Sequence, residues 1–327
     1  MSSTIPAVEV AGLQLSQLGL GTATFGWLYE SVSAAQATAT VHRALELGIA
    51  YLDTAPAYGL GAAESKVGTA LRNVDSGRLV VSTKVGRVLD PLPVGAAAAY
   101  PGAPRLQAVD AWTEDGVRRS LEDSLTRLGL DRVDIAYIHD PDDNETDVYD
   151  TAFPALARLR EEGTVRAIGA GMNQSAMMAR FVDRLDIDVV LLAGRYTLLE
   201  QSALDDLLPA CLARETRVVI GGAFNSGLLA APTEAAHYDY GPVPKDLLLR
   251  AQAIQRVCAD HDVPITAAAL QFPLAHPAVA SVLAGMRTPE EVEQNVTAFD
   301  TNIPDALWDN LRSEGLLHPE APTDRIV

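Results

Sequence analysis

The stretch YLDTAPAYGLGAAESKVGTAL at residues 51–71 contains the repeating unit from which we predict the fold. Its apolar beginning is typical of a short strand, which ends at Asp53. A loop that contains proline and glycine follows and carries Tyr58, and a helical pattern begins near Glu64. A strand, a loop and a helix in this order form the unit of parallel α/β folds.

The same unit recurs along the whole chain. Short apolar runs rich in β-branched residues, typical of strands buried on both faces, occupy residues 18–22, 51–53, 79–84, 133–139, 165–171, 189–193, 217–222 and 279–285. Helical patterns occupy residues 33–47, 63–72, 113–128, 149–162, 174–185, 203–214, 247–261 and 289–299. Eight such pairs predict an α/β fold, the closed (β/α)8 TIM barrel. A doubly wound open sheet, the competing fold, would carry G-x-G-x-x-G after its first strand, whereas LGLGTATFG has a different spacing.

Four segments lie outside this repeat. Residues 8–15 are predicted to form an N-terminal β-hairpin that turns at Gly12 and could close the bottom of the barrel, and residues 304–314 an extra C-terminal helix. Insertions at residues 85–111 and 222–246 follow the third and seventh strands. Because such loops lie over the mouth of a barrel, we expect them to shape the substrate site. We predict a single domain over residues 1–327.

The composition argues against several classes of function. A formal net charge of −18 disfavours nucleic acid or an anionic membrane as a partner, because both bind basic surfaces. Residues 1–17 lack the features of a signal peptide, and no apolar run has the length of a membrane span, so we expect a cytoplasmic protein. Cys211 and Cys258 are expected to be buried thiols, and no metal site is predicted.

Four ionisable side chains lie near the ends of three consecutive predicted strands. Asp53 ends the second strand and Tyr58 follows it, Lys84 ends the third strand, and His139 ends the fourth. Adjacent parallel strands bring their ends together, so the four groups should converge at the barrel mouth. An ammonium lowers the pKa of a neighbouring phenol, a carboxylate can balance the ammonium, and an imidazole can orient a substrate oxygen. The pattern predicts proton transfer to or from a carbonyl or alcohol oxygen.

Each of these residues alone also has a simpler interpretation. A lysine at a strand end is usually solvated, a histidine beside Asp140 can be an ordinary loop residue, and Asp53 can cap a turn. The presence of all four types at the ends of three consecutive strands favours a shared catalytic role.

The chain resembles the aldo-keto reductase superfamily over nearly its whole length. The resemblance rests on LGLGTATFG (18–26), YLDTAPAYG (51–59), STKVG (82–86), YIHDPDD (137–143), RAIGAGMN (166–173), RYTLLEQ (195–201), NSGLL (225–229) and AGMRTPEEVEQN (284–295). It implies an enzyme, an oxidoreductase that exchanges a hydride between NAD or NADP and a carbonyl or alcohol.

The resemblance also implies roles for individual residues. Tyr58 would donate the proton in reduction and accept it in oxidation, Lys84 and Asp53 would tune Tyr58, and His139 would place the substrate oxygen. The implied cofactor-binding residues are Gly21, Thr22, Asp53, Asn173, Asn225, Gly227, Leu228, Gly285, Arg287, Glu291 and Asn295.

Three positions differ from the better-known family pattern. The usual Ser-Asn after the fifth strand is Met172-Asn173, which leaves Asn173 as the partner of the cofactor's carboxamide. Residues 193–194 are Ala-Gly where a glutamine is common, and Gly221 stands where a tyrosine often stacks on the nicotinamide. These differences are similar to those of a subgroup that includes L-fucose, L-galactose and D-threo-aldose 1-dehydrogenases and pyridoxal 4-dehydrogenase.

NAD is the predicted cofactor, and NADP remains the alternative. Where many NADP-preferring relatives carry Lys-Ser and then arginine, this chain has Gly285-Met286 and Glu291. A carboxylate repels a 2′-phosphate and suits a ribose hydroxyl. Glu291 also belongs to a Thr-x-x-Glu capping box with Pro289 at the first helical position, so its role can be purely structural. Arg287 could hold a phosphate.

The predicted substrate-site residues are Trp27, Tyr58, His139 and Asp140. Asp140 stands where many relatives have tryptophan, and its carboxylate could accept hydrogen bonds from a sugar or could cap its own turn. We therefore predict a small-molecule substrate: an aldose such as L-fucose, oxidised at its C1 hydroxyl to the lactone. A pyridoxal or general aldehyde and ketone reductase of the same family is the alternative, and a cofactor-binding regulatory subunit is a remote one. The sequence leaves the oligomeric state open.

Overall fold

Strands and helices alternate in this computed structural model, which describes residues 5–27, 30–74, 76–100, 102–239 and 241–324. The strands are β1 (Ala7–Val10), β2 (Leu13–Ser16), β3 (Leu18–Gly21), β4 (Tyr51–Asp53), β5 (Val80–Val85), β6 (Arg87–Pro91), β7 (Leu106–Asp110), β8 (Ile135–His139), β9 (Ala167–Met172), β10 (Val189–Ala193), β11 (Arg217–Gly221), β12 (His237–Tyr238), β13 (Gly241–Pro242) and β14 (Val279–Gly285). The helices are α1 (Ala34–Glu46), α2 (Ala62–Leu71), α3 (Glu114–Leu128), α4 (Glu145–Asp147), α5 (Phe153–Glu161), α6 (Ser175–Arg184), α7 (Leu207–Ala213), α8 (Lys245–Asp260), α9 (Ile265–Gln271), α10 (Pro289–Phe299) and α11 (Asp305–Ser313).

Eight of these strands close into a parallel barrel in the order β10, β11, β14, β3, β4, β5, β8, β9. The ring is completed where Leu191 of β10 pairs with Gly171 of β9. These strands are short and apolar because one face points into the barrel and the other packs against the helices. The predicted (β/α)8 barrel is therefore confirmed, and the closure excludes an open sheet.

The N-terminal hairpin of β1 and β2 fills the bottom of the barrel. Ala11 and Gly12 both have positive φ angles, as the two-residue turn of a tight hairpin requires. Val10, Leu13 and Leu15 are buried in one cluster with Tyr51 and Tyr137 of the barrel interior. The predicted hairpin and its position are confirmed.

Both insertions contain secondary structure that the sequence did not predict. Strands β6 and β7 pair antiparallel, from Arg87 with Asp110 to Pro91 with Leu106, within residues 85–111. Strands β12 and β13 form a two-residue ladder within residues 222–246.

The helices confirm the predicted pattern with three differences. Helix α5 begins at Phe153, after the short α4 and a π-helical turn over Val148–Ala152, rather than at Tyr149. Helix α7 begins at Leu207 instead of residue 203, after a 3-10 turn over Ser202–Leu204. Helix α9 was not predicted. The predicted C-terminal helix is α11. Within the described residues, no helix combines the length and the apolar character that crossing a membrane requires.

Helices α1 and α10 begin at N-caps, because Ser33 and Thr288 accept hydrogen bonds from the backbone N–H groups of Gln36 and Glu291. In the predicted capping box of Thr288, the Glu291 carboxylate accepts from the backbone N–H of Arg287 instead of that of Thr288. The Gln36 side chain donates to the carbonyl of Arg287 at 3.1 Å. It ties α1 to the loop that precedes α10, next to the mouth of the barrel.

Candidate active site

The four predicted catalytic side chains lie together at the mouth of the barrel. Asp53 ends β4, Lys84 is the penultimate residue of β5, and His139 ends β8. Lys84 Nζ lies 2.7 Å from Asp53 Oδ2 and 4.6 Å from the centre of the Tyr58 ring. The rings of Tyr58 and His139 meet edge to face with centroids 5.9 Å apart. The structure thus brings together the four residues that the sequence placed at three strand ends.

Lys84 is a buried cation with fixed partners. Its ammonium donates to Asp53 Oδ2 and, at 3.0 Å, to the carbonyl of Thr54. Burial lowers the pKa of Lys84, but the Asp53 carboxylate and the Tyr58 phenol outweigh it, and the net pKa is raised. Lys84 therefore stays charged at the pH of catalysis, and a charged ammonium beside a phenol stabilises the phenolate.

His139 is a buried neutral imidazole. Burial lowers its pKa well below the ordinary value, and the charges of Lys84 and Arg87 lower the pKa further. Its Nε2 lies 3.4 Å from Asp140 Oδ2, and its buried Nδ1 has no hydrogen-bond partner among the described residues. A neutral imidazole carries one donor and one acceptor, so His139 can hydrogen-bond a substrate oxygen.

The neutrality of His139 predicts a pH-dependent stability. The unfolded chain binds a proton on this histidine near pH 6.5 and the folded chain does not, so the free energy of unfolding should fall as pH drops below about 6.5. His276, whose pKa burial lowers to about 4, adds to the effect. Urea unfolding at pH 7.5, 6.5 and 5.5 should show that His139→Gln reduces this loss by up to about 1.4 kcal/mol per pH unit. An unchanged loss in His139→Gln would contradict this account.

The Tyr58 loop is fixed by contact with the loop that follows β3. A β-carbon on Gly26 would lie 2.4 Å from the carbonyl carbon of Tyr58, so only glycine allows the two backbones to pack this closely. Tyr100 donates its hydroxyl to the carbonyl of Gly59 at 3.0 Å, and its ring stacks on Trp27 at 4.9 Å. The predicted pocket residue Trp27 therefore lies beside the Tyr58 loop, with an aromatic partner from the first insertion.

A cavity of about 610 Å³ runs from Asp53 and Tyr58 to the N-terminal part of α10. Its volume lies in the range typical of small-molecule sites. Its lining includes seven of the predicted cofactor-binding residues: Gly21, Asp53, Gly227, Gly285, Arg287, Glu291 and Asn295. It also includes Thr24, Phe224, Ser226, Thr266 and Gln294, which the prediction omitted although Thr24, Ser226 and Gln294 lie inside the quoted motifs.

Four predicted cofactor-binding residues lie outside this lining. Leu228 is fully buried, so its side chain packs in the core instead of facing the cavity. The Thr22 hydroxyl is also buried and donates to the carbonyl of Asp53 at 2.9 Å. Asn173, which follows β9, does not line the cavity, although Leu191 and Ala193 of the neighbouring β10 do. Asn225 donates through Nδ2 to the carbonyl of Gly194, but its buried Oδ1 has no partner among the described residues.

Arg287 is held between two carboxylates at the α10 end of the cavity. Its Nε and Nη2 both donate to Glu291 Oε1, at 3.1 and 2.7 Å, and its Nη1 donates to Glu30 Oε2 at 2.8 Å. Glu291 also accepts from the backbone N–H of Arg287 at 2.7 Å. The sequence carried no signal for Glu30. The cluster has two negative charges for one positive charge, which makes it a poor site for a phosphate.

Asp140 faces Arg87 of the first insertion. Arg87 donates to the Asp140 carbonyl at 3.3 Å, and its Nη1 lies 3.8 Å from the Asp140 carboxylate. Burial raises the pKa of Asp140, and Arg87 opposes this effect. The Asp140 side chain keeps 38% of its surface exposed. An acid and a guanidinium side by side next to His139 form a polar surface that can accept and donate hydrogen bonds. Asp140 and His139 lie outside the lining of the 610 Å³ cavity.

Comparison with known proteins gives consistent matches over most of the chain. The Aldo/keto reductase family matches residues 17–314. A D-threo-aldose 1-dehydrogenase of Pseudomonas sp is 42% identical over 326 residues, which cover 97% of this chain and 99% of that protein. A pyridoxal 4-dehydrogenase of Microbacterium luteolum is 39% identical over 335 residues, covering 95% and 97%. The holo form of an aldo-keto reductase from Bacillus halodurans shares the fold, with a TM-score of 0.76 at 22% identity, over 98% of this chain and 99% of that chain.

Proposed function

The chain belongs to the aldo/keto reductase family of oxidoreductases, and from this membership and its site geometry we propose that it is an NAD-dependent aldose dehydrogenase. The proposed reaction oxidises the C1 hydroxyl of the ring form of an aldose, such as L-fucose, to the lactone. The family uses nicotinamide cofactors. The observation that carries the proposal is the buried, charged Lys84 beside the Tyr58 ring, at the end of a cavity large enough for part of such a cofactor.

One feature of the cavity fits a dinucleotide. Glycines line it at several positions, which lets a ligand approach the backbone closely. Gly21, Gly227, Gly285, Glu291 and Asn295 would hold the cofactor, and the free Oδ1 of Asn225 is a further polar group near Gly194. When bound, a nicotinamide cofactor supplies the acceptor for the hydride that leaves C1.

The residues of this chain carry out the proton transfer that accompanies oxidation at C1. His139 donates or accepts a hydrogen bond at the C1 oxygen and places it near Tyr58. Tyr58 takes the hydroxyl proton as C1 is oxidised, and the Lys84 ammonium stabilises the phenolate that this requires. Asp53 keeps the ammonium in position at 2.7 Å. In the reverse direction Tyr58 returns the proton to a carbonyl oxygen.

The sugar assignment is supported by the polar pair at the mouth and by the similarity to an aldose dehydrogenase. Asp140 and Arg87 can bind several hydroxyls at once, whereas an aromatic aldehyde offers them few partners. We expect NAD-dependent oxidation of at least one sugar in a panel of L-fucose, L-galactose, D-arabinose and D-glucose, with lactone as the product. Absence of oxidation of every aldose, together with rapid turnover of pyridoxal, would replace this proposal with the activity named for the relative at 39% identity.

NAD is proposed over NADP because of the Arg287 cluster. Among the described residues, Arg287 supplies the guanidinium that lines the cavity, and Glu291 and Glu30 neutralise it. A 2′-phosphate would therefore meet net negative charge, while a ribose hydroxyl could donate to Glu291. We expect kcat/KM with NAD to exceed that with NADP by about tenfold or more, a difference of about 1.4 kcal/mol.

Substitutions in this cluster test the cofactor preference. Glu291→Gln and Glu30→Gln each remove one negative charge, so each should lower the ratio of kcat/KM with NAD to kcat/KM with NADP. Glu290→Gln changes the same charge at an exposed neighbouring position and should leave the ratio nearly unchanged. A preference for NADP in the wild type that Arg287→Ala removes would overturn the assignment.

A further inference from the structure

A row of buried hydroxyl groups extends from the active site into the barrel interior. The Tyr137 hydroxyl lies 3.1 Å from the Tyr51 hydroxyl, which lies 3.1 Å from Ser82 Oγ. Ser82 Oγ in turn donates to Asp53 Oδ1 at 2.7 Å. All three hydroxyl-bearing side chains are fully buried. This row reaches the carboxylate oxygen of Asp53 that Lys84 does not contact.

The chemistry of the end group fixes the direction of every bond in the row. An ionised carboxylate only accepts, so Ser82 must give its one proton to Asp53 and can only accept from Tyr51. Tyr51 has then used its own proton and accepts from Tyr137. Burial raises the pKa of both phenols, and the nearby Asp53 charge raises it further. Both therefore remain protonated donors over the working pH range.

We propose that Ser82, Tyr51 and Tyr137 are positioning residues that hold the Asp53 carboxylate beside the Lys84 ammonium and thereby set the pH at which Tyr58 can accept a proton. The inference rests on the proposed role of Tyr58. None of the three residues reaches the substrate; each acts through Asp53 and Lys84.

Two physical effects give the row this influence. A buried carboxylate without a donor on one oxygen is costly, so loss of the Ser82 bond lets the Asp53 carboxylate move away from its position against the Lys84 ammonium. The hydrogen bond from Ser82 also draws carboxylate charge away from Tyr58. Loss of the Ser82 hydroxyl therefore destabilises the Tyr58 phenolate through both effects, and both raise the pH at which Tyr58 ionises.

The test is the ionisation of Tyr58 in Ser82→Ala. Protein containing [ζ-13C]tyrosine would be titrated by NMR, and the Tyr58 resonance assigned by its absence in Tyr58→Phe. We expect the Tyr58 titration midpoint to rise by about one pH unit, a tenfold change in the ionisation equilibrium. In steady-state oxidation the pH profile of kcat should shift upward by a similar amount with little change in KM. Ser82→Thr keeps a hydroxyl and should return the midpoint toward the wild-type value.

A second variant covers the case in which Ser82→Ala fails to fold. The double variant Tyr51→Phe/Tyr137→Phe removes both outer hydroxyls and leaves no unpaired one in the row. It should raise the Tyr58 titration midpoint by a smaller amount, because Ser82 still donates to Asp53. The expected change in the ionisation equilibrium constant of Tyr58 is about two- to threefold.

The outcomes separate this inference from the proposed function. The inference would be overturned if the Tyr58 titration midpoint in Ser82→Ala and in the double variant equalled that of the wild type while only the melting temperature fell. The row of hydroxyls would then contribute only to packing. Absence of wild-type turnover with every aldose and aldehyde would defeat the proposed function instead, and the NMR titration would still decide whether the row controls Tyr58.

Discussion

Replacing Tyr58 by phenylalanine is expected to lower kcat by at least about a thousandfold in both directions of the reaction. In the proposed mechanism the Tyr58 phenol exchanges a proton with the substrate oxygen, and Lys84 lies 4.6 Å from its ring while His139 meets its edge. The benzyl side chain keeps this packing and loses only the hydroxyl. Steady-state kinetics with the best aldose and NAD would measure the loss.

Two controls distinguish a loss of proton transfer from a loss of cofactor binding or of folding. Cofactor affinity, followed by fluorescence quenching, and the melting temperature should match the wild type within error. Tyr100→Phe removes a hydroxyl whose hydrogen-bond partner among the described residues is the Gly59 carbonyl, and it should keep most of the activity. Retention of a tenth or more of the activity in Tyr58→Phe would remove Tyr58 from the mechanism. A wild type no faster than this variant would favour the cofactor-binding regulatory subunit.

Replacing Lys84 by methionine is expected to reduce both activity and stability. Loss of the ammonium removes the charge that stabilises the Tyr58 phenolate, so kcat should fall by about a hundred- to ten-thousandfold. It also leaves Asp53 as a buried carboxylate without its cation, which should cost about 3–5 kcal/mol in the free energy of unfolding. Kinetics and urea unfolding would measure the two losses separately.

The double variant Asp53→Asn/Lys84→Met distinguishes these effects. It removes both buried charges, so most of the lost stability should return, while the activity should stay as low as in the single variant. Recovery of activity in the double variant would show that Lys84 matters only as the partner of Asp53. Equal stability of wild type and Lys84→Met would contradict the buried ion pair.

Most of the four-residue cluster at the barrel mouth could be predicted from the sequence because strand ends are local features. Asp53, Lys84 and His139 each end an apolar run, and barrel closure alone then places such ends side by side. The barrel itself followed from eight such runs. The orientation of side chains that follow the other strands depends on three-dimensional packing, which explains why the side chains of Leu228 and Thr22 turn away from the cavity.

The elements that were missed lack a local signal. Helix α9, with the sequence ITAAALQ, is buried on nearly all sides, so it shows no amphipathic period. Strands β6 and β7 are five residues each and lie on either side of a segment rich in glycine, alanine and proline. Glu30 contacts Arg287 across 257 positions of sequence, a contact that only the folded chain reveals.

The hairpin that fills the bottom of the barrel closes the barrel interior at that end. Val10, Leu13 and Leu15 pack against Tyr51 and Tyr137 at that end, so these three apolar side chains offer no hydroxyl that would continue the row toward the bottom of the barrel. We therefore expect a proton that reaches Tyr58 to leave through the mouth, by which the oxidised product also departs. Residues of both insertions border this mouth, Tyr100 at the Tyr58 loop and Phe224 at the cavity.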